Sequence, residues 1–428
     1  MLALLAAASL AAAPEAPLTL DDALAEASRS NPDLLAARAD VQAARADLVS
    51  ARGGWLPRLD VGAGFGYFWA PPTSVPPGEG ETYTAQAQLS QTLFDGFLTP
   101  SSVAGARASE RASAQLFDEA TLSVAFRVTQ RFYELVKAER TLAVLEKTAA
   151  RSQELVARAD ALFGAGRAPK SEIFQARVNL GNDRIAVEAQ GAAVARARSA
   201  LAAALGRPPT SGLAVVAPPA VDAKAVPTGE PPELGALVEA ARARRPSVAA
   251  QAARIEAAEA RVGAARADYW PSLAATGSYR RDSDRLGGSG GVYGDLSQKY
   301  GATAELRLSW NLFDGRRTAA AVDRASAEAL RARAVAARET DAVAREVADA
   351  RAAVVSLARQ IALAAANLES ATQGLALARE RLDAGLASQL ELRDASLKLT
   401  QSELSLVETR IDHAVAVADL NRATGGAL

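Results

Sequence analysis

Two periodicities alternate along this chain. From Leu59 to Trp69 every second residue is apolar, with Leu59, Val61, Ala63, Phe65, Tyr67 and Trp69 on one face and Asp60, Gly62, Gly64 and Gly66 on the other. A period of two predicts a β-strand. Tyr83 to Leu93 follows suit, setting Tyr83, Ala85, Ala87, Leu89 and Leu93 against Thr84, Gln86, Gln88, Ser90 and Thr92. The cleanest case is Ala302, Ala304, Leu306, Leu308, Trp310 and Leu312 alternating with Thr303, Glu305, Arg307, Ser309 and Asn311. Elsewhere the period lengthens. Leu116, Ala120, Val124, Val128, Phe132 and Leu135 step by three and four, the seam of one helix packed on another. Ser101 to Phe163 holds no proline, so an unbroken helix there runs about 95 Å at 1.5 Å per residue.

The plan occurs twice. LFDG stands at Leu93 to Gly96 and again at Leu312 to Gly315; Pro32 pairs with Pro246, Pro57 with Pro271, Leu59 with Leu273 and Gly166 with Gly385. The first repeat, residues 14–207, is predicted to hold a helix, a strand pair at 58–95, a long helix at 101–163 and a return helix at 169–205. The second, 233–428, holds a helix, a strand pair at 272–313, a long helix at 318–382 and a return helix at 388–424. A Pro-rich bridge, 208–232, joins them, and Pro71 to Glu81 and Asp282 to Gly301 read as loops between paired strands. Glycine turns at 164–169 and 383–388 end the long helices. Neither return helix matches its long partner in length, which predicts that short and return helices stack end to end. Asp95 and Asp314, after a strand and before a long helix, read as turn or cap residues.

The strands are about ten residues each, the length that crosses a bilayer when tilted, with Tyr and Trp near their ends. Four strands leave two open edges, which lipid does not tolerate. A closed barrel therefore takes more than one copy of the chain, and three copies give twelve strands around a passage. Beyond the N-terminus no apolar run approaches the ~20 residues of a spanning helix. Met1 to Ala13, followed by Pro14, reads as a secretory signal cleaved near Ala13, and its missing basic segment points to a start codon upstream.

Composition narrows the chemistry. With 48 basic and 49 acidic side chains there is no net field to draw nucleic acid. No Cys, one Met and one His, His413, leave no thiolate catalysis, zinc cluster, lipoprotein-type anchor or Met-rich copper conduit. The carboxylates form no catalytic constellation and the glycines open no phosphate-binding helix. The expectation is a non-enzyme without cofactor or metal.

The duplicated order of short helix, strand pair closing in LFDG, very long helix, glycine tip and return helix resembles the TolC-type outer membrane efflux proteins over nearly the whole chain. That resemblance implies an α+β membrane protein: a homotrimeric 12-stranded β-barrel, four strands per chain, continued by a long α-helical coiled-coil barrel across the periplasm. Its implied partners are outer membrane lipid, a periplasmic adaptor and an inner-membrane transporter of RND, ABC or MFS type. Its implied function is export of small molecules such as drugs, with type I protein secretion, or a soluble coiled-coil scaffold, as alternatives. Leu20 to Ser30, Leu234 to Arg244 and the bridge match the family's equatorial belt. Glu172, Glu391 and Asp394 fall on positions resembling its acidic gate, where threefold symmetry would make rings of carboxylates. Gly166, Gly385, Leu386, Ser388 and Leu390 match the region that docks the adaptor. Leu382 and Ala387 stand where well-known members carry the Tyr and Arg of the tip lock, leaving Arg167, Lys170 and Arg393 as substitutes.

Overall fold

The computed structural model describes residues 17–70, 78–219, 229, 231–296 and 300–426; the expected signal, 1–13, and parts of the expected loops and bridge lie outside the described residues. The elements in order are α1 (Leu20–Ser30), α2 (Pro32–Gly53), β1 (Arg58–Ala70), β2 (Gly78–Asp95), α3 (Leu98–Gly164), α4 (Lys170–Ala204), α5 (Leu234–Arg244), α6 (Pro246–Ala265), β3 (Ser272–Ser283), β4 (Tyr300–Ser309), α7 (Arg317–Asp383) and α8 (Gln389–Ala423). The helix α3 begins at Leu98, before Pro100. A first-turn proline costs no hydrogen bond, because the N–H it lacks would have had no partner.

Contacts divide the chain into two compact units, neither of which is one sequence repeat. One comprises Ala39–Leu116 and Ser247–Glu339, the other Met1–Arg38, Phe117–Pro246 and Thr340–Leu428. Each draws on both repeats.

The first of these units holds the sheet, an antiparallel ribbon in the order β1-β2-β3-β4. Leu59 lies opposite Leu89 in one hairpin and Leu273 opposite Leu308 in the other, so the duplication preserves register to the residue. Leu59, Val61, Phe65, Tyr67, Trp69, Leu306 and Leu308 are all at least 61% exposed, a continuous apolar face of the kind that calls for a nonaqueous neighbour. Below the sheet α3 meets α6 through small side chains. A Cβ on Gly105 would sit 3.4 Å from that of Ala260, and one on Gly263 2.9 Å from the Ser101 hydroxyl. Alanine-rich seams bring backbones close, and they bury Ala108, Ala112, Ala253 and Ala257.

Each LFDG motif turns strand into helix by a shared device. Gly96 and Phe97 both adopt positive φ, 66° and 70°, as do Gly315 and Arg316 at 70° each. Two successive left-handed residues are costly for all but glycine. The aspartate repays part of that cost. Asp95 accepts from the Thr99 N–H at 2.7 Å and from its hydroxyl, and Asp314 accepts from the N–H and hydroxyl of Thr318 and from the Arg317 N–H at 3.1 Å. Both are helix caps. These hydrogen bonds hold the Asp314 carboxyl below its ordinary range. Phe97 also packs edge-on against Phe94 and Trp270, with ring centroids 5.4 and 6.1 Å away.

The other unit holds a hydrophobic core on α3. Val124, Val128, Phe132 and Leu135 are at most 3% exposed and pack with Ala23, Ala27, Leu201, Leu205, Leu213 and Ile411, so the seam predicted on α3 is buried along this stretch. Each return helix ends against the start of a short helix. Asn31, before Pro32, donates to the Ala204 carbonyl at 2.8 Å; Arg245, before Pro246, donates to the Ala423 carbonyl at 3.2 Å. Gly206 (φ 77°) and Gly425 (φ 74°) close the two return helices, and a side chain on Gly206 would overlap the Ser30 carbonyl. Arg245 is 4% exposed and clamps Glu119 of α3 at 2.8 Å and Glu346 of α7 at 3.1 Å. Burial works against its charge, but the two carboxylates outweigh it and raise its pKa.

Candidate functional site

The two long helices end alike. Gly166 (φ 67°) and Arg167 donate to the carbonyls of Phe163 and Leu162, each at 2.9 Å; Gly385 (φ 76°) and Leu386 donate to those of Leu382 and Arg381 at 3.0 and 2.8 Å. This paired capping needs a left-handed residue, which explains the glycines. No other group lies within 4 Å of where a Cβ would stand on either. Leu386 and Leu390 beside them are 71% and 69% exposed. Ser388 starts α8, its hydroxyl accepting the Glu391 N–H at 3.2 Å, while Pro169 holds the corresponding place before α4. Of the five residues matched to the docking region, then, the glycines and Ser388 shape the turn and the two leucines are free to touch a partner.

The three acids separate into two places. Glu391 and Asp394 share an open groove of about 490 Å³ between α7 and α8, lined also by Gly374, Leu377, Arg381 and Lys398. Glu391 accepts from Arg381 at 2.7 Å, and Asp394 pairs with Lys398 at 2.7 Å. Glu172 lines a tighter pocket of about 60 Å³ with Ser152, Asn179, Gln389, Leu390 and Arg393. It forms no ion pair among the described residues. The reason lies in the duplication: the position of Arg381 is Leu162 in the first repeat, so Glu172 has no equivalent cation across its turn. Glu172 and Glu391 both occupy the first helical turn, where the helix dipole favours a carboxylate whatever its further role.

Arg393 sits deeper than a tip turn. Its guanidinium donates to both Asp183 oxygens at 2.9 Å and to the Ser152 hydroxyl at 2.8 Å, and Ser152 in turn donates to Asp183. One turn along, Arg151 reaches Glu403 at 2.9 Å and the hydroxyls of Thr148 and Thr400 meet at 2.9 Å. This polar layer ties α3, α4 and α8. Burial pushes the Asp183 carboxyl upward, but hydrogen bonds from Arg393 and Ser152 and the charges of Arg393 and Arg151 outweigh it, leaving the group below its ordinary range. Nearer the tip, Arg158 pairs with Asp383, and Lys170 lies over the Phe174 ring at 5.9 Å.

Sequence reasoning missed Asp183, Ser152 and Arg381. Asp183 and Arg393 lie 210 positions apart, and no local pattern joins them. His413 is half-buried on α8, where desolvation lowers its pKa. Among the described residues no cluster of metal-binding side chains occurs, and no helix is long and apolar enough to cross a membrane.

Residues 23–207 and 237–426 match the outer membrane efflux protein family. The chain belongs to that family. Its place is the outer membrane, its long helices are the family's periplasmic extension, and the family is one of channels and not of enzymes. The apolar outer face of the sheet thereby acquires its solvent, lipid. The chain is 32% identical over 185 residues to outer membrane protein OprJ of Pseudomonas aeruginosa, covering 43% of this chain and 37% of OprJ, well under two thirds of that relative's length. It is 25% identical over 414 residues to outer membrane efflux protein BepC of Brucella suis, covering 95% of this chain and 85% of BepC. A crystal structure of a membrane protein from Pseudomonas aeruginosa shares the fold with a TM-score of 0.82 at 25% identity, covering 95% of this chain and 92% of that one.

Proposed function

We propose that this protein is the outer membrane channel of a tripartite export system, acting as a homotrimer that receives small molecules from a periplasmic adaptor and an inner-membrane transporter. The observation that carries the reading is the open sheet itself: four strands with an apolar outer face and two unpaired edges, β1 and β4, in a chain whose family is one of efflux. An open edge in lipid leaves backbone groups unsatisfied, and closure by three copies removes both edges.

At the periplasmic end Glu391 and Asp394 line the passage as threefold rings, with Glu172 as a second acidic level. Arg381 and Lys398 set the closed state by holding the acids to their own chain, and the Asp183–Arg393 pair holds α8 to α3 and α4 behind them. Leu386 and Leu390, presented by the turn that Gly385 and Ser388 shape, make the apolar contact with the adaptor.

The test is reconstitution in planar bilayers and complementation of a strain lacking its own outer membrane efflux component, supplied with the cognate adaptor and pump. Dye export should return, and the channel should open in small steps blocked by divalent cations. Glu391→Ala with Asp394→Ala should enlarge conductance and relieve that block. No restored export and no bilayer conductance from a folded protein would overturn the proposal.

A further inference from the structure

The chain leaving β3 folds back over the sheet, at the end away from the helices. Tyr279, Arg281 and Ser283 share one face of β3, and the register carries that face to Ala87, Ala85 and Tyr83 on β2 and on to Val61, Ala63 and Phe65 on β1. This is the apolar face, turned to lipid. Arg281 is a cation in a row otherwise made of Ala63, Ala85 and Tyr300, yet it is only 2% exposed. A guanidinium open to lipid is costly, and residues 284–296 cover this one.

The cover is bonded from beneath. Arg281 donates to the carbonyls of Gly291 at 2.9 Å and Gly294 at 3.3 Å, Ser283 to that of Gly290 at 2.8 Å, and Tyr279 to that of Leu296 at 2.7 Å. Three successive lipid-facing side chains thus each hold loop carbonyls. Within the loop Val292 and Tyr293 donate to the carbonyls of Arg285 and Leu286 at 3.0 and 3.2 Å, and Gly291 and Asp295 to those of Gly288 and Ser289 at 3.0 and 3.3 Å. Water could satisfy these carbonyls, but lipid cannot, so backbone lying against it must pair its polar groups internally. Glycine permits the fold, since a Cβ on Gly291 or Gly294 would overlap the carbonyl of Gly287 or Gly288.

The outer side of the loop is apolar in part. Val292 is buried at 3% exposure, whereas Leu286, Tyr293 and Leu296 are 53%, 66% and 67% exposed. Asp284 and Arg285 pair at 4.0 Å where the loop begins, and Asp295 is exposed beside Leu296. Aromatic and charged residues side by side belong at the headgroups and not in the hydrocarbon. We infer that residues 284–296 form a flap folded outward onto the barrel and seated in the headgroup region of the outer leaflet, with Leu286, Tyr293 and Leu296 toward lipid and Arg281 as the pin beneath. Its partner is lipid because the flap continues the face of the sheet that lipid already covers. The flap rests on the barrel reading and adds a contact to it.

The chain has no cysteine, so a bimane fluorophore can be placed at single sites and the labelled protein reconstituted in phosphatidylcholine vesicles containing a lipid with a nitroxide near its headgroup. Labels at Leu286→Cys and Leu296→Cys should be quenched by that lipid comparably to one at Val61→Cys on the lipid face, and several-fold more than one at Thr303→Cys on the polar face of β4. Adding Arg281→Met should lower quenching at Leu296→Cys to the Thr303→Cys level and leave Val61→Cys unchanged. Tyr279→Phe, which removes one bond to the flap, should lower it in part and serves should Arg281→Met fail to reconstitute. Quenching at Leu286→Cys and Leu296→Cys no stronger than at Thr303→Cys would overturn the flap, and quenching unaltered by either variant would overturn the pin. Absence of quenching at Val61→Cys would instead overturn the barrel reading beneath both.

Discussion

Replacing Arg393 with Met takes the cation away from a site where Asp183 and Ser152 remain. The side chains of Arg393 and Asp183 keep only 12% and 13% of their surface exposed, so water restores little of what the guanidinium supplied. Removing one partner of a buried ion pair costs about 3–5 kcal/mol. The residual exposure places this case at the lower end, about 3 kcal/mol, or roughly a hundredfold in an equilibrium constant. Since the three bonds from Arg393 hold α8 to α3 and α4, the cost falls on local opening of α8. Hydrogen exchange in detergent should show the amides of residues 392–404 opening about a hundredfold more often in Arg393→Met, with the strands unchanged. Adding Asp183→Asn should recover most of the protection, because no buried charge is then left without a partner. Acid should reproduce the effect. The Asp183 carboxyl is held below its ordinary range, so its contribution is present above the unfolded-state value of about 3.9 and lost as pH falls through the lower folded value. Protection of α8 in the unsubstituted protein, corrected for intrinsic exchange, should be flat from neutral pH to about 5 and weaken below about 4. Equal exchange in the two proteins at neutral pH would refute the reasoning.

The two LFDG glycines should differ. Gly96→Ala meets both a left-handed φ and overlap with the Ala267 carbonyl, whereas Gly315→Ala meets the φ penalty alone, about 1–2 kcal/mol; thermal unfolding followed at the helical circular-dichroism band should rank Gly96→Ala well below Gly315→Ala. Arg245→Met leaves Glu119 facing a vacated, nearly buried site and should cost about 3 kcal/mol, with Arg245→Met plus Glu119→Gln restoring most of it in the same measurement. Leu386→Asp with Leu390→Asp should abolish export while leaving trimer migration and bilayer conductance intact, because both side chains are exposed and hold no part of the fold.

What could be read from the chain alone was whatever repeats locally. Alternation from Ala302 to Leu308 marks a strand because side chains leave a pleated backbone on opposite faces, though the pattern runs on to Leu312 and the strand stops at Ser309; the steps from Ala120 to Leu135 mark a buried helical face for the matching reason. Gly166 and Gly385 announce helix ends since the cap needs a left-handed residue. The LFDG recurrence disclosed the duplication, and the order of elements it repeats carried the family resemblance that implied the fold class. Tertiary structure decided the rest. The place of Asp95 and Asp314 between strand and helix already marked them as turn or cap residues, but their bonds to Thr99 and Thr318 depended on two left-handed residues no pattern announces. That Asn31 and Arg245 perform one task with different side chains appeared only when each was seen on the carbonyl it holds. The ties of Arg393 to Asp183 and of Arg381 to Glu391 are contacts between helices, and their partners are chosen by how those helices meet. Periodicity is a property of the backbone and so is written along the sequence; the pairing of charges is a property of packed surfaces, and only the folded chain brings them together.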